Sequence, residues 1–147
     1  MDSFDKIMFI SMDDTSTGPM AEAICKNLVP EEWDVCSRGL VVHFSEPVNP
    51  KAIDILNNNY VKLTKECSVP FDREELTQNT LILAMSAKEK KLMVQEFEVD
   101  EDKVFILSEF VEEFGEVPDP YGESIVGYEM SYIELIRMIK KLVYKLG

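Results

Sequence analysis

The sequence predicts an α/β fold, a three-layer α/β/α sandwich around a central four-stranded parallel sheet. Three observations predict it. Short runs such as Ile7 to Ile10 and Leu81 to Met85 are apolar throughout, as strands buried on both faces are. Segments with apolar residues at helical spacing stand between these runs. Strand and helix then alternate along the chain without a repeat or linker, the pattern of parallel strands joined by crossover helices.

The first strand, Ile7 to Ile10, feeds the polar loop "SMDDTSTG", residues 11–18. Pro19 suits the first turn of a helix over 19–28, with Ser16 or Thr17 as cap and Met20, Ile24 and Leu28 on one face. Trp33 to Cys36 reads as a second strand. A second helix starts from Asn49 as cap and Pro50 in its first turn, and stops at Asn57 to Asn59. Leu81 to Met85 is the third strand, residues 86–97 the third helix, and Val104 to Ile106 the fourth strand. From Glu109 to Glu123 the chain carries Gly115, Pro118, Pro120 and Gly122, too many breakers for a helix, and connections of such length are often functional. The last helix runs from about Gly127 to the end, with Tyr128, Tyr132, Leu135 and Ile139 among its packing residues and its bases near the C-terminus. Ligands in such sheets bind beyond the carboxyl ends of the strands.

A chain of 147 residues, 46% hydrophobic and 29% charged, is expected to fold as one domain over residues 1–147. Its net charge of −13 argues against nucleic acid and membrane partners. The clustered bases Lys88/Lys90/Lys91 and Arg137/Lys140/Lys141/Lys145 read as solvated helix faces. Cys25, Cys36 and Cys67 form no C-x-x-C pair and read as small core residues in a reducing compartment. The opening apolar run is too short for a signal peptide or a membrane span, so the expected location is cytoplasmic.

The most specific signal is "IMFISMDDTSTGPMAEA" followed far downstream by "VPDPYGESIVGY". Together these resemble the low-molecular-weight protein tyrosine phosphatases of the bacterial branch, whose first strand enters a C-x5-R-[ST] loop before "PMAEA" and whose late loop carries D-P-Y or D-P-F. "SRG" at Ser37 to Gly39, "LILAMSAKEKK" from Leu81 and "DKVFILSEFV" from Asp102 are similar to further family segments. In that family the loop amides and helix N-terminus cradle a phosphate, the cysteine attacks phosphorus, the arginine clamps the phosphoryl oxygens, and an aspartate protonates the leaving group. Aligned on "PMAEA", this chain has Ser11 at the cysteine, Thr17 at the arginine and Gly18 at the neighbouring Ser or Thr. Of the catalytic set only Asp119 remains. The resemblance places a ligand pocket at Ser11, Met12, Asp13, Asp14, Thr15, Ser16, Thr17 and Gly18, with Tyr121 at its rim.

A serine hydroxyl is barely ionised near neutral pH, and the only histidine, His43, lies far from the loop in sequence. Thr17 supplies neither the charge nor the donor fork of an arginine. Losing an activated nucleophile alone commonly costs on the order of a million-fold in rate. Asp13 and Asp14 would add negative charge where a dianion should sit. The expectation is a catalytically silent relative that binds a protein or small ligand, with no cofactor and no metal. The alternative is a weak or altered phosphatase, acting on phosphotyrosine or phosphoarginine and perhaps metal-assisted through Asp13 or Asp14 with Asp119. Two other readings compete with these. "SMDDT" is similar to the D-x-D-x-T motif of haloacid-dehalogenase phosphatases, but Ser11 replaces that nucleophile too. Asp13, Asp14 and loop hydroxyls could hold Mg²⁺ or Ca²⁺, yet the positive helix end opposes a cation. Asp119, flanked by prolines, is also a normal turn former.

Overall fold

A computed structural model of the chain describes residues 3–147. The elements follow as β1 (Lys6–Ser11), α1 (Thr17–Leu28), β2 (Val35–Gly39), α2 (Pro50–Asn58), β3 (Thr80–Ala84), α3 (Ala87–Glu96), β4 (Val104–Ile106), α4 (Leu107–Phe110) and α5 (Ile125–Leu146). The four strands form one sheet in the order β2-β1-β3-β4, and every pairing is parallel. A strand in this position must hide both faces. Side-chain alternation does so: Ile7 and Phe9 point with Leu81 and Leu83 into one core, Met8 and Ile10 with Ile82 and Ala84 into another. The first core is covered by α1, α2 and α5, through residues such as Met20, Leu56 and Tyr128. The second is covered by Met93 of α3 together with Phe71 and Val99. The result is the expected three-layer sandwich.

This arrangement positions the site. β1 and β3 are neighbours, but α1 packs on one face and α3 on the other, so the chain leaves their carboxyl ends in opposite directions and a crevice opens between.

Several boundaries differ from expectation. β2 runs over Val35–Gly39 rather than 33–36, because pairing with β1 sets its register from Ile7 opposite Val35 to Ser11 opposite Gly39. Trp33 remains in the preceding turn, its N–H donating to the Pro30 carbonyl at 3.1 Å. Helix α1 begins at Thr17 with Ser16 in the cap position, but neither side chain caps it. The Ser16 hydroxyl instead lies 3.1 Å from the Tyr128 hydroxyl. Glu109 and Phe110, expected in irregular chain, complete the single turn of α4, because the breakers begin only at Gly115. Cys25 and Cys36 are buried, whereas Cys67 is exposed and packs in no core. The bases of α5 are not merely solvated: Arg137 and Lys141 pair with Glu113, and Lys145 Nζ donates to the Phe110 carbonyl at 2.8 Å. These contacts pin the acidic connection onto α5. Among the described residues no helix is long and apolar enough to cross a membrane.

Asn49 caps α2 as expected, its Oδ1 accepting the Lys51 N–H at 2.9 Å, while its own N–H donates to the Thr15 carbonyl at 2.8 Å and ties α2 to the loop. Asn49→Ala removes only the side-chain cap, so urea unfolding should register a loss of about 1 kcal/mol.

Candidate functional site

At the carboxyl ends of β1 and β3 lies a cavity of about 400 Å³. Ser11, Met12, Asp13 and Thr17 line one side, the start of α3 from Met85 to Glu89 a second, and the late connection from Glu116 to Asp119 a third. Of the loop residues singled out from sequence, Ser11, Met12, Asp13 and Thr17 reach the cavity. Asp14, Thr15, Ser16 and Gly18 lie buried behind it, and Tyr121, 71% exposed, is outside its lining. Asp119 lines the cavity but is itself exposed; its Oδ1 accepts the Tyr121 N–H at 3.0 Å, the turn contact that a proline-flanked aspartate favours.

The loop is organised from within by Asp14. Its backbone has a left-handed φ of 57°, which bends the chain so that the side chain turns away from the cavity. The carboxylate is fully buried. One oxygen pairs with Lys65 Nζ and accepts the Val69 N–H at 2.9 Å, while Oδ1 finds no hydrogen-bond partner among the described residues. Burial pushes the Asp14 carboxyl above its ordinary value, against the pull of the Lys65 ammonium and the hydrogen bonds. Lys65 Nζ also donates to the carbonyl and hydroxyl of Ser37, each at 3.0 Å. The expected pair of negative charges facing the ligand is therefore corrected: Asp14 is neutralised inside the protein, and only Asp13 faces the cavity. The cation reading loses its geometry for the same reason, since the two side chains diverge. Asp13 Oδ1 accepts from the Thr15 N–H at 3.1 Å and the Thr15 hydroxyl at 2.9 Å. Among the described residues no group of three or more His, Cys, Asp or Glu is disposed to hold a metal ion.

Two glycines make room for this arrangement. A Cβ on Gly18 would stand 2.7 Å from Asp14 Oδ1 and 2.8 Å from Ser11 Oγ; one on Gly39 would stand 2.9 Å from the Asp13 backbone. The Asp14 carboxylate thus occupies the space into which a larger residue at position 18 would point. Glu22, the acid of "PMAEA", is buried and accepts the Ser37 N–H at 3.0 Å and the Thr64 hydroxyl at 2.6 Å, which fixes the segment that delivers Lys65.

The Ser11 hydroxyl is 3% exposed and accepts the Asp14 N–H at 3.1 Å. No base bonds to it among the described residues, and His43 is exposed and not part of the lining. Cys25 offers no substitute thiolate: it sits about two turns down α1, fully buried, and burial pushes its thiol up to about 12.

Sequence reasoning missed Glu89, Glu116 and Lys65. Glu89 is buried, its Oε1 bonded by the Ser86 hydroxyl, and burial raises its carboxyl, with Ser86 lowering and Asp119 adding to the rise. Glu116 Oε2 accepts the Ala87 N–H at 2.7 Å and so caps α3. One signal could have flagged Glu89: Ser86-Ala87-Lys88-Glu89 has the S-x-x-E spacing of a capping box. Here the two side chains bond each other, and Glu116 serves the helix end. Lys65 carried no signal, coming from an irregular segment without a motif.

The model of the family described as Low molecular weight phosphotyrosine protein phosphatase matches residues 6–147. A protein-arginine-phosphatase of Bacillus subtilis (strain 168) is 31% identical over 144 residues, covering 95% of each chain. The low molecular weight protein-tyrosine-phosphatase PtpB of Staphylococcus aureus is 34% identical over 137 residues, covering 93% of this chain and 96% of that one. Among solved structures, YwlE arginine phosphatase, as a cysteine-to-serine mutant with a phosphorylated active-site serine, superposes with a TM-score of 0.85 at 32% identity, covering 96% of this chain and 95% of that one. The tyrosine phosphatase Wzb from Escherichia coli K30, in complex with sulphate, gives 0.88 at 22% identity, covering 98% and 99%, a likeness of fold.

Two predictions follow from the buried acids. Lys65→Met leaves Asp14 uncompensated and should cost about 3 to 5 kcal/mol in denaturant unfolding, most of it recovered by adding Asp14→Asn. Because the Glu89 carboxyl lies above its ordinary 4.5, the native state holds a proton there that the unfolded chain has released. That contribution is complete below 4.5 and is lost as pH rises through the raised value. Glu89→Gln should remove this loss, so its stability relative to the parent improves as urea midpoints are taken from acid toward neutral pH.

Proposed function

The chain belongs to the low-molecular-weight phosphotyrosine protein phosphatase family, and from that premise we propose that it is a catalytically silent member that binds a ligand or partner in the inherited cleft. The observation that carries this reading is the state of Ser11: a buried hydroxyl whose bonded neighbour is a backbone amide, with no base hydrogen-bonded to it among the described residues. Asp14 Oδ1 and Ser11 Oγ flank the same spot above Gly18, but they do not hydrogen-bond, and the Asp14 carboxylate is committed to Lys65. A serine without a base attacks phosphorus slowly. Thr17 can offer a hydroxyl where bidentate charge is needed, so the transition state loses its main electrostatic support as well. Asp119 could still protonate a leaving group, yet a general acid contributes only once a nucleophile has begun to attack.

One observation favours a second reading, a weak or altered phosphatase. In the YwlE mutant the active-site serine is phosphorylated, and Ser11 stands at that position in the motif alignment. In this reading Ser11 takes a phosphoryl group from phosphoarginine or phosphotyrosine. The cleft opposes it: Asp13, Glu89, Glu116 and Asp119 face an incoming dianion with Lys88 as the one base of the lining.

The two readings separate in one assay. With an aryl phosphate and a phosphoarginine substrate, with and without Mg²⁺, turnover should stay at background and the intact mass should gain no phosphoryl group. Turnover that vanishes in Asp13→Asn or Asp119→Asn, or a stable phosphoryl adduct at Ser11, would replace the silent reading with the second.

A further inference from the structure

We infer that the outer face of α5 is a self-association surface, covered by the same face of a second copy of this chain running antiparallel. The inference concerns a different part of the molecule from the cleft and does not rest on its reading. Helix α5 is apolar on two sides. Tyr128, Tyr132, Leu135, Ile139 and Leu142 are buried in the core that it shares with α1. A second stripe, Val126, Met130, Ile133, Arg137, Lys140 and Tyr144, advances by alternating steps of four and three residues and is exposed along its whole length. Val126, Met130 and Ile133 are each more than half exposed, and Tyr144 is 91% exposed. Single apolar residues at a surface are ordinary, whereas a continuous row on one helix marks a contact face.

The order of the stripe selects what covers it. Its spacing reads the same in both directions, so an antiparallel copy sets Val126 against Tyr144, Met130 against Lys140 and Ile133 against Arg137, and a twofold axis repeats each layer. The apolar half then meets the half that carries an aromatic ring and long methylene stems, which cover apolar surface while their charged ends stay in water. A parallel pair would instead stack Arg137 on Arg137 and Lys140 on Lys140.

Charge runs the same way. Glu129 and Glu134 lie in the first half of α5, and Lys140, Lys141 and Lys145 in the second, so antiparallel copies bring acid to base at both ends. Arg137 and Lys141 already pair with Glu113 of their own chain. Glu129 and Lys140 form no ion pair among the described residues, and the antiparallel arrangement brings each beside the other across the axis. The net charge of −13 repels two copies at long range, but that field is screened beyond about 8 Å at physiological salt, whereas the stripes act in contact. From Val126 to Tyr144 the stripe spans about 27 Å, which places the interface at the small end of specific ones and makes the association weak and reversible.

Sedimentation velocity on the full chain at physiological salt, from about 5 to 500 μM, tests this. The weight-average mass should climb from 16.9 kDa toward twice that value. Ile133→Glu should abolish the climb. Lys140→Glu and Glu129→Lys should each weaken association about tenfold, and the double variant should associate better than either single. All three positions are exposed, and thermal melts should show every variant folded. For orientation, Val126→Cys and Tyr144→Cys chains, each also carrying Cys67→Ser to remove the exposed thiol, should form an intermolecular disulfide when mixed and little when kept apart. A mass that stays constant across the range, a climb that Ile133→Glu leaves intact, a double variant no better than its singles, or Val126→Cys chains that link to each other in preference would overturn the inference.

Discussion

The loop between β1 and α1 takes its shape from a buried ion pair. Asp14 needs a left-handed turn to bring its carboxylate inside, Lys65 to neutralise it there, and glycine at 18 and 39 to leave it room. Each requirement implicates a different part of the fold. Lys65 arrives on a segment that Glu22 fixes from α1, Gly39 ends a strand whose register β1 sets, and the Thr15 carbonyl is held by the N-terminus of α2. A fully buried carboxylate with one oxygen unsatisfied is an expensive arrangement, tolerable only where the surroundings hold it on several sides.

Once that pair is in place, the chemistry of the crevice is largely decided. The negative charge nearest the helix end is spent internally, so the positive end of α1 and the cavity no longer act on one shared anion. What faces the cavity is set by the other two walls, the start of α3 and the late connection. Ser131 holds the Pro118 carbonyl at 2.8 Å and Val117 is buried, which keeps Asp119 and Glu116 at the rim even though both are exposed. The family scaffold survives because its framework contacts, Glu22 to β2 and the parallel sheet, do not pass through the residues that changed.

Much of this is legible in the sequence. Continuous apolar runs gave the strands because burial on both faces demands them, and Asn49-Pro50 gave a helix start because cap and φ preference coincide there. The misplacements have common causes. β2 extends past the apolar residues because its later half, Ser37 to Gly39, is polar or small and gains its place from pairing with β1 and from Glu22 and Lys65. Adjacency in sequence suggests that Asp13 and Asp14 share a direction, whereas the positive φ of Asp14 sends the side chains apart. Glu89 stands among lysines in a polar helix and Lys65 belongs to no motif, so only burial and long-range pairing single them out.

By itself the sequence determined the fold class, the family, and the absence of cysteine and arginine from the loop after β1, since these depend on residue types, local periodicity and motif spacing. The tertiary structure alone decided which charges face the cavity. Burial and long-range pairing set the effective charge of a carboxylate, and the partners of Asp14 and the company of Glu89 come from segments tens of residues away.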